Sequence, residues 1–199
     1  MPRIRPTKFA HVVYRTRRFD EMLKWYETVF DARVQYQNPG FAFLTYDDEH
    51  HRFAFANLSV FLPDGTETDR QGAIGVDHVA YTYGSLPGLL ENYADLKEKG
   101  ITPYWAIHHG ITASIYYADP DGNQMEFQVD CCASSDEADA YFKERFAENP
   151  VGVEFDPDDW LAQLHSGVPV SELLVRKVHQ PVSPIRGSIA GMLAAGSHH

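Results

Sequence analysis

The feature that most constrains this chain is that it repeats itself. "FAHVVYRTRRFDEMLKWYETVFDARV", from Phe9, and "VDHVAYTYGSLPGLLENYADLKEKGI", from Val76, align at an offset of 67. His11 falls on His78, Val12 on Val79, Tyr14 on Tyr81, Leu23 on Leu90, Tyr26 on Tyr93 and Val34 on Ile101. An alignment that keeps the apolar positions of two helices in phase marks a duplicated supersecondary unit, and such a repeat bounds the fold before any single residue does. Each copy opens on a short strand rich in Val and Tyr, at 9–15 and 76–82. An amphipathic helix follows, with Phe19, Met22, Leu23, Tyr26 and Phe30 on one face in the first copy. Leu86, Leu89, Leu90, Tyr93 and Leu96 form the matching face in the second, which ends at the C′ glycine of "EKG".

Three further strand-like runs complete each copy: 34–37, 41–46 and 52–58, then 102–106, 112–117 and 124–129. "DPDGN" at 119–123 is a hairpin turn signal, because Pro presets the first central residue and Gly accepts positive φ. The unit is therefore βαβββ, used twice, as modules 6–62 and 75–130 of one domain spanning 1–132, joined by the polar, Gly-containing "LPDGTETDRQGAIG". The expected class is α+β: two paired modules forming an open, cup-like mixed sheet, followed by a helical extension over 133–199. In that extension "SSDEADAYFKERFAENP" supplies an N-cap Ser and "DPDDWLAQLHSG" a second short helix. Residues from about 180 onward, rich in Pro, Gly, Ser and Ala, are expected to be loosely held, and the final "GSHH" has the look of a cloning tag, so His198 and His199 are set aside.

The repeat also carries the chemistry. The closing hairpins "TYDDEHHRFAF" and "YADPDGNQMEF" superpose at an offset of 72, through Asp47 and Asp119, which puts Ala54 on Glu126. The five extra residues fall in the middle loops of the second copy. Two first strands thus both carry His, while the last strands carry one Glu and one Ala. If the modules pair with pseudo-twofold symmetry, His11, His78 and Glu126 can coordinate and Ala54 leaves the fourth place open. Two imidazoles, a carboxylate and open positions are the pattern of non-haem Fe(II) oxygen chemistry; a closed structural zinc site more often uses cysteines and fills every position.

Composition removes several classes of partner. A formal net charge of −11 without a basic stripe excludes nucleic acid and anionic membranes as default partners. No apolar run approaches the length of a membrane span, and the N-terminal "MPRIRPTKFAH" lacks the apolar core of a signal peptide. The two cysteines, Cys131 and Cys132, are neighbours with no CxxC partner, which fits a reducing cytoplasm.

At these residues the chain resembles the vicinal oxygen chelate superfamily, and within it the one-domain type I extradiol ring-cleaving dioxygenases, over roughly residues 6–130. "DPDGN-x-x-E" is common to the superfamily and speaks for the fold; other residues point to ring cleavage. The resemblance implies a catalytic His before a "-x-x-A-F" strand, matched by His51 in "HHRFAF". It also implies a His before the penultimate strand, matched in "IHHGIT" by His109, with His108 as the alternative, and a Tyr ten residues before the Glu ligand, matched by Tyr116. His50 is expected to face solvent, since neighbours on a strand alternate. The implied reaction is Fe(II)-dependent cleavage of a catecholic ring with O2, Mn(II) being the alternative metal, to a muconic semialdehyde type of product. A cytoplasmic homo-oligomer is implied as well. Thiol transferases and isomerases of the same superfamily, and metal-free drug-sequestering proteins, are the competing readings.

Overall fold

The computed structural model describes residues 9–64 and 76–187. The inter-module linker beyond Asp64 and the tag-like end fall outside these residues. The chain divides into two compact units, one of residues 1–72 with 119–122, the other of 73–118 with 123–199. Together they make two open mixed sheets with helices, an α+β architecture.

The first unit begins with β1 (Val12–Thr16) and α1 (Phe19–Phe30), followed by β2 (Arg33–Gln37), β3 (Phe41–Thr45), β4 (Phe53–Asn57) and a short α2 (Leu58–Phe61). Its sheet runs β1-β4-β3-β2, with β1 and β4 parallel and the other pairs antiparallel. Helix α1 turns Phe19, Met22, Leu23, Tyr26 and Val29 inward, while Phe30, read from the sequence as part of this face, is only half-buried. The strand expected over 52–58 stops one residue early because the Asn57 side chain accepts a hydrogen bond from Ser59 N and starts a helical turn. Within this unit the Tyr26 hydroxyl donates to the Asp119 carboxylate over 3.1 Å.

The second unit repeats the order as β5 (His78–Thr82), α3 (Leu86–Glu98), β6 (Trp105–His108), β7 (Thr112–Ala118) and β8 (Gln124–Asp130). Ser85 caps α3 by accepting from Gly88 N, Leu86, Leu89, Leu90, Tyr93 and Leu96 form its buried face, and Gly100 follows it at φ +79°. The registers agree with the two offsets of the sequence repeat. Val13 pairs with Ala54 where Ala80 pairs with Glu126, so Ala54 and Glu126 hold equivalent places on their strands.

One strand is displaced from its expected place. The run at 102–106 was to pair, but β6 starts only at Trp105. Pro103 has no N–H for the ladder, and pairing runs from Trp105 opposite Tyr116 to His108 opposite Ala113.

The C-terminal extension belongs to the second unit. It contributes α4 (Ser135–Glu144), a 3₁₀ turn (Phe146–Glu148), β9 (Val153–Glu154), α5 (Pro157–His165) and α6 (Val170–Leu173). Strand β9 pairs antiparallel with β6 and makes the sheet five-stranded, in the order β5-β8-β7-β6-β9. Residues 181–187, expected to be loose, are instead anchored. Ser183 is buried, receives a hydrogen bond from Trp105 Nε1 at 3.0 Å and donates to Glu154 at 2.8 Å. Among the described residues no helix is long and apolar enough to cross a membrane.

His108, the last residue of β6, ties the extension down. It is 2% exposed. Its Nε2 donates to the Leu174 carbonyl over 2.9 Å, and its Nδ1 accepts from Gly110 N over 3.0 Å. Both ring nitrogens are therefore committed to backbone, and the tautomer follows, because a carbonyl can only accept. Burial, with the Arg176 and His109 charges, depresses its pKa below the ordinary 6.5.

Two tests follow from this architecture. Leu90 is fully buried in α3, and Leu90→Ala should lower unfolding free energy by about 2–5 kcal/mol in a denaturant titration. A histidine with a depressed folded pKa stabilises fully above its unfolded pKa, and that stability is lost as pH falls through the folded value. Protonation adds its proton at Nδ1, which accepts from Gly110 N, so acidification below 6.5 should lower the amide protection factors of Gly110 and its neighbours, and His108→Gln should flatten that dependence.

Candidate active site

In the second unit the site is built on β8, an interior strand of the sheet. Glu126 lies between β5 and β7, opposite Ala80 on one side and Tyr116 on the other, and is 6% exposed. Its Oε2 stands 3.0 Å from His78 Nε2. Two donors about 2.1 Å from one ion, at right angles to each other, lie about 3.0 Å apart. The pair thus fits a metal, and the chemistry of the donors, imidazole and carboxylate, fits a hard or borderline divalent ion.

The other nitrogen of His78 is fixed as well. Nδ1 lies 2.8 Å from Asp77 Oδ2, the carboxylate-imidazole arrangement that orients metal-binding histidines. Asp77 is held in turn by Gln124, whose Nε2 donates to its carbonyl at 2.9 Å and its Oδ1 at 3.2 Å. The Tyr104 hydroxyl donates to Gln124 Oε1 at 2.9 Å. Without a metal the hydrogen bond to Glu126 raises His78 to a pKa of about 9, burial opposing and Asp77 adding to it. Burial works to raise the Glu126 carboxyl, but hydrogen bonds from His78 and Ser114 and the nearby His109 outweigh it and keep it below the usual carboxylate range.

His109 completes this half. Its Nδ1 lies 2.5 Å from the Val151 carbonyl and so must donate there, which leaves Nε2 with its lone pair when the ring is neutral. Burial depresses the His109 pKa and favours that neutral form. Nε2 faces the Tyr116 hydroxyl at 3.0 Å and Glu126 Oε1 at 4.0 Å. Burial, followed by the Glu126 charge, pushes the Tyr116 phenol well above its ordinary pKa, so it stays protonated and donates to His109. The His78 ring stands edge-on to Tyr116, centroids 5.5 Å apart. His78, Glu126, His109 and Tyr116 are thus brought into one cluster; His108 is turned to the extension.

The first unit holds His11, His50 and His51. His11, just before β1, is exposed, and the centroid of its ring is 4.4 Å from that of His51. His51 is half-buried and edge-on to Phe43 at 5.0 Å; burial, then the charges of His11 and His50, depress its pKa. His50 is exposed, its Nδ1 2.6 Å from that of His51. Ala54, at the place equivalent to Glu126, presents only a methyl group. Among the described residues no three His, Cys, Asp or Glu side chains stand together in an arrangement that could hold a metal ion.

Several residues of the site were not read from the sequence. Asp77 had a signal available, a carboxylate adjoining a repeated His. Ser114 and Gln124 act on partners from the neighbouring strands or their ends, Glu126 and Asp77, which only the register reveals. Val151 acts through its carbonyl, for which sequence offers no sign.

Residues 8–127 match the model of the Glyoxalase/Bleomycin resistance protein/Dioxygenase superfamily. The chain is 47% identical over 167 residues to Biphenyl-2,3-diol 1,2-dioxygenase 2 of Rhodococcus globerulus, covering 83% of this chain and 86% of that protein. It is 39% identical over 171 residues to Biphenyl-2,3-diol 1,2-dioxygenase 3 of the same organism, covering 85% and 88%. A glyoxalase/bleomycin resistance protein/dioxygenase structure from Nocardioides shares the fold at 18% identity, with a TM-score of 0.50 over 64% of this chain and 86% of that one. The duplicated module, its matching registers and these two relatives together establish that the chain belongs to the glyoxalase/bleomycin resistance protein/dioxygenase superfamily.

Proposed function

We propose that this chain is an Fe(II)-dependent extradiol dioxygenase that cleaves a catecholic ring with O2 and inserts both oxygen atoms, giving a muconic semialdehyde type of product. The observation that carries the reading is 47% identity, over most of both chains, to a biphenyl-2,3-diol 1,2-dioxygenase. The cluster of His78, Glu126, His109 and Tyr116 supports it. The metal ligands assigned are His11, His78 and Glu126, His11 by its equivalence to His78 in the repeat. Bound there, the metal supplies Lewis acidity toward the diol and a route for electrons between diol and O2.

The protein groups do the rest. His109, neutral and with its lone pair at Nε2, is placed to take a proton from a diol hydroxyl, and Tyr116 to donate a hydrogen bond to the resulting oxyanion. His51, whose pKa is lowered by burial and by the neighbouring His11 and His50, acts as acid and base on the oxygen side. Half-buried aromatic side chains such as Trp105 and Tyr104 offer faces for an aryl ring, which makes biphenyl-2,3-diol the first substrate to try. The same reading places the enzyme in the cytoplasm as a homo-oligomer, apart from nucleic acid and membrane.

The test is anaerobic reconstitution with Fe(II), addition of biphenyl-2,3-diol and a panel of other catechols, and admission of O2. Oxygen uptake with a yellow product is expected; no uptake with any catechol would refute the proposal. Glu126→Ala should abolish stoichiometric iron binding, measured by metal analysis. His51→Gln and Tyr116→Phe should retain iron and lower kcat by about a hundredfold or more; loss of iron from His51→Gln would show that it is a ligand instead.

A further inference from the structure

The extension after residue 132 reaches His109 at three points. Its Val151 carbonyl accepts a hydrogen bond from Nδ1 at 2.5 Å. The Tyr141 hydroxyl donates to the His109 carbonyl at 3.1 Å, and Arg176 Nη1 donates to the same oxygen at 3.2 Å as well as to the Tyr141 hydroxyl. The Val151 carbonyl is aimed by Asn149, which is 7% exposed. Asn149 Oδ1 accepts from Gly152 N at 2.7 Å and Val151 N at 3.2 Å, and its Nδ2 donates to the Gly152 carbonyl at 3.0 Å. The loop runs close against β6, where Val153 pairs with His108. Gly152 sits at φ +128°, and a Cβ there would lie 2.6 Å from the His108 carbonyl.

We infer that Asn149 is a positioning residue for His109: by folding the 149–152 loop around its own amide it presents the Val151 carbonyl to Nδ1, fixes the tautomer and keeps the Nε2 lone pair aimed at Tyr116 and the Glu126 side of the site. The inference rests on the proposed role of His109 in catalysis, but the tautomer it assigns does not. Without the Asn149 side chain two backbone N–H groups lose their acceptor and the Gly152 carbonyl keeps only Ser183 N, the loop relaxes, and Nδ1 and Nε2 compete for the proton. A base whose lone pair is on the wrong nitrogen part of the time lowers turnover without weakening binding of the diol.

The readout is two-bond nitrogen–proton correlation on the full chain carrying isotope-labelled histidine, without added metal. The His109 signal is assigned by its absence in His109→Gln. The native chain should show His109 as the pure Nδ1–H tautomer. Asn149→Ala should show a mixture of tautomers, and Asn149→Asp, which keeps both backbone acceptor contacts, should restore the native pattern. With Fe(II) and biphenyl-2,3-diol, Asn149→Ala should lose about tenfold or more in kcat with KM within about twofold. Asn149→Ser, able to keep one of the two acceptor contacts, carries the same comparison if Asn149→Ala does not fold. A folded Asn149→Ala or Asn149→Ser in which His109 stays purely Nδ1–H overturns the inference. If native protein consumes no oxygen with any catechol, the proposed reaction fails while the tautomer comparison still decides what Asn149 does.

Discussion

The second unit depends on a carboxylate held inside a sheet. Moving Glu126 out of water costs several kcal/mol unless the charge is met at short range, and the structure meets it with the His78 and Ser114 side chains and with His109 close by. Each of these partners needs its own support. Asp77 and Gln124 hold His78, while the Val151 carbonyl holds His109. A chain of hydrogen bonds therefore runs from Tyr104 through Gln124, Asp77 and His78 to Glu126. A network of this kind is stabilising only when every member is satisfied. Its rigidity is also what a site for a hard cation requires, since donors that hold still bind without reorganising.

The duplication explains how one half of such a site can be strongly polar and the other not. The two modules share their backbone registers, so Phe43 faces Ala54 where Tyr116 faces Glu126. The same scaffold thus carries an apolar pair in one copy and an acid with a hydroxyl in the other. What differs is the side chains on a common frame.

Much of this was legible in the sequence, for physical reasons. Strands and helices with one buried face leave a period in the chain, and Leu86, Leu89, Leu90, Tyr93 and Leu96 of α3 lie buried along the face the spacing marks. His78 and Glu126 were legible because one recurs at a matched position and the other stands against a matched alanine. The rest left no period. Strand β9 has two residues, α6 has four, and residues 181–187 are held by single contacts such as Trp105 to Ser183. The roles of His108 and His109 could not be separated from "IHHGIT" because each is decided by a carbonyl far along the chain, at Leu174 and Val151.

Gly110 and Gly152 give the architecture a portable mark. Gly110 adopts φ +107° directly beneath Tyr141, where a Cβ would come within 2.1 Å of the hydroxyl oxygen, and Gly152 meets the His108 carbonyl almost as closely. A side chain at Gly110 would have to displace the Tyr141 ring, and one at Gly152 would meet the backbone of β6. In this chain "HHG" of the second module and "NPVG" some forty residues later mark where the tail folds back onto the loop that carries His109, and a boundary drawn after the second module would remove that contact.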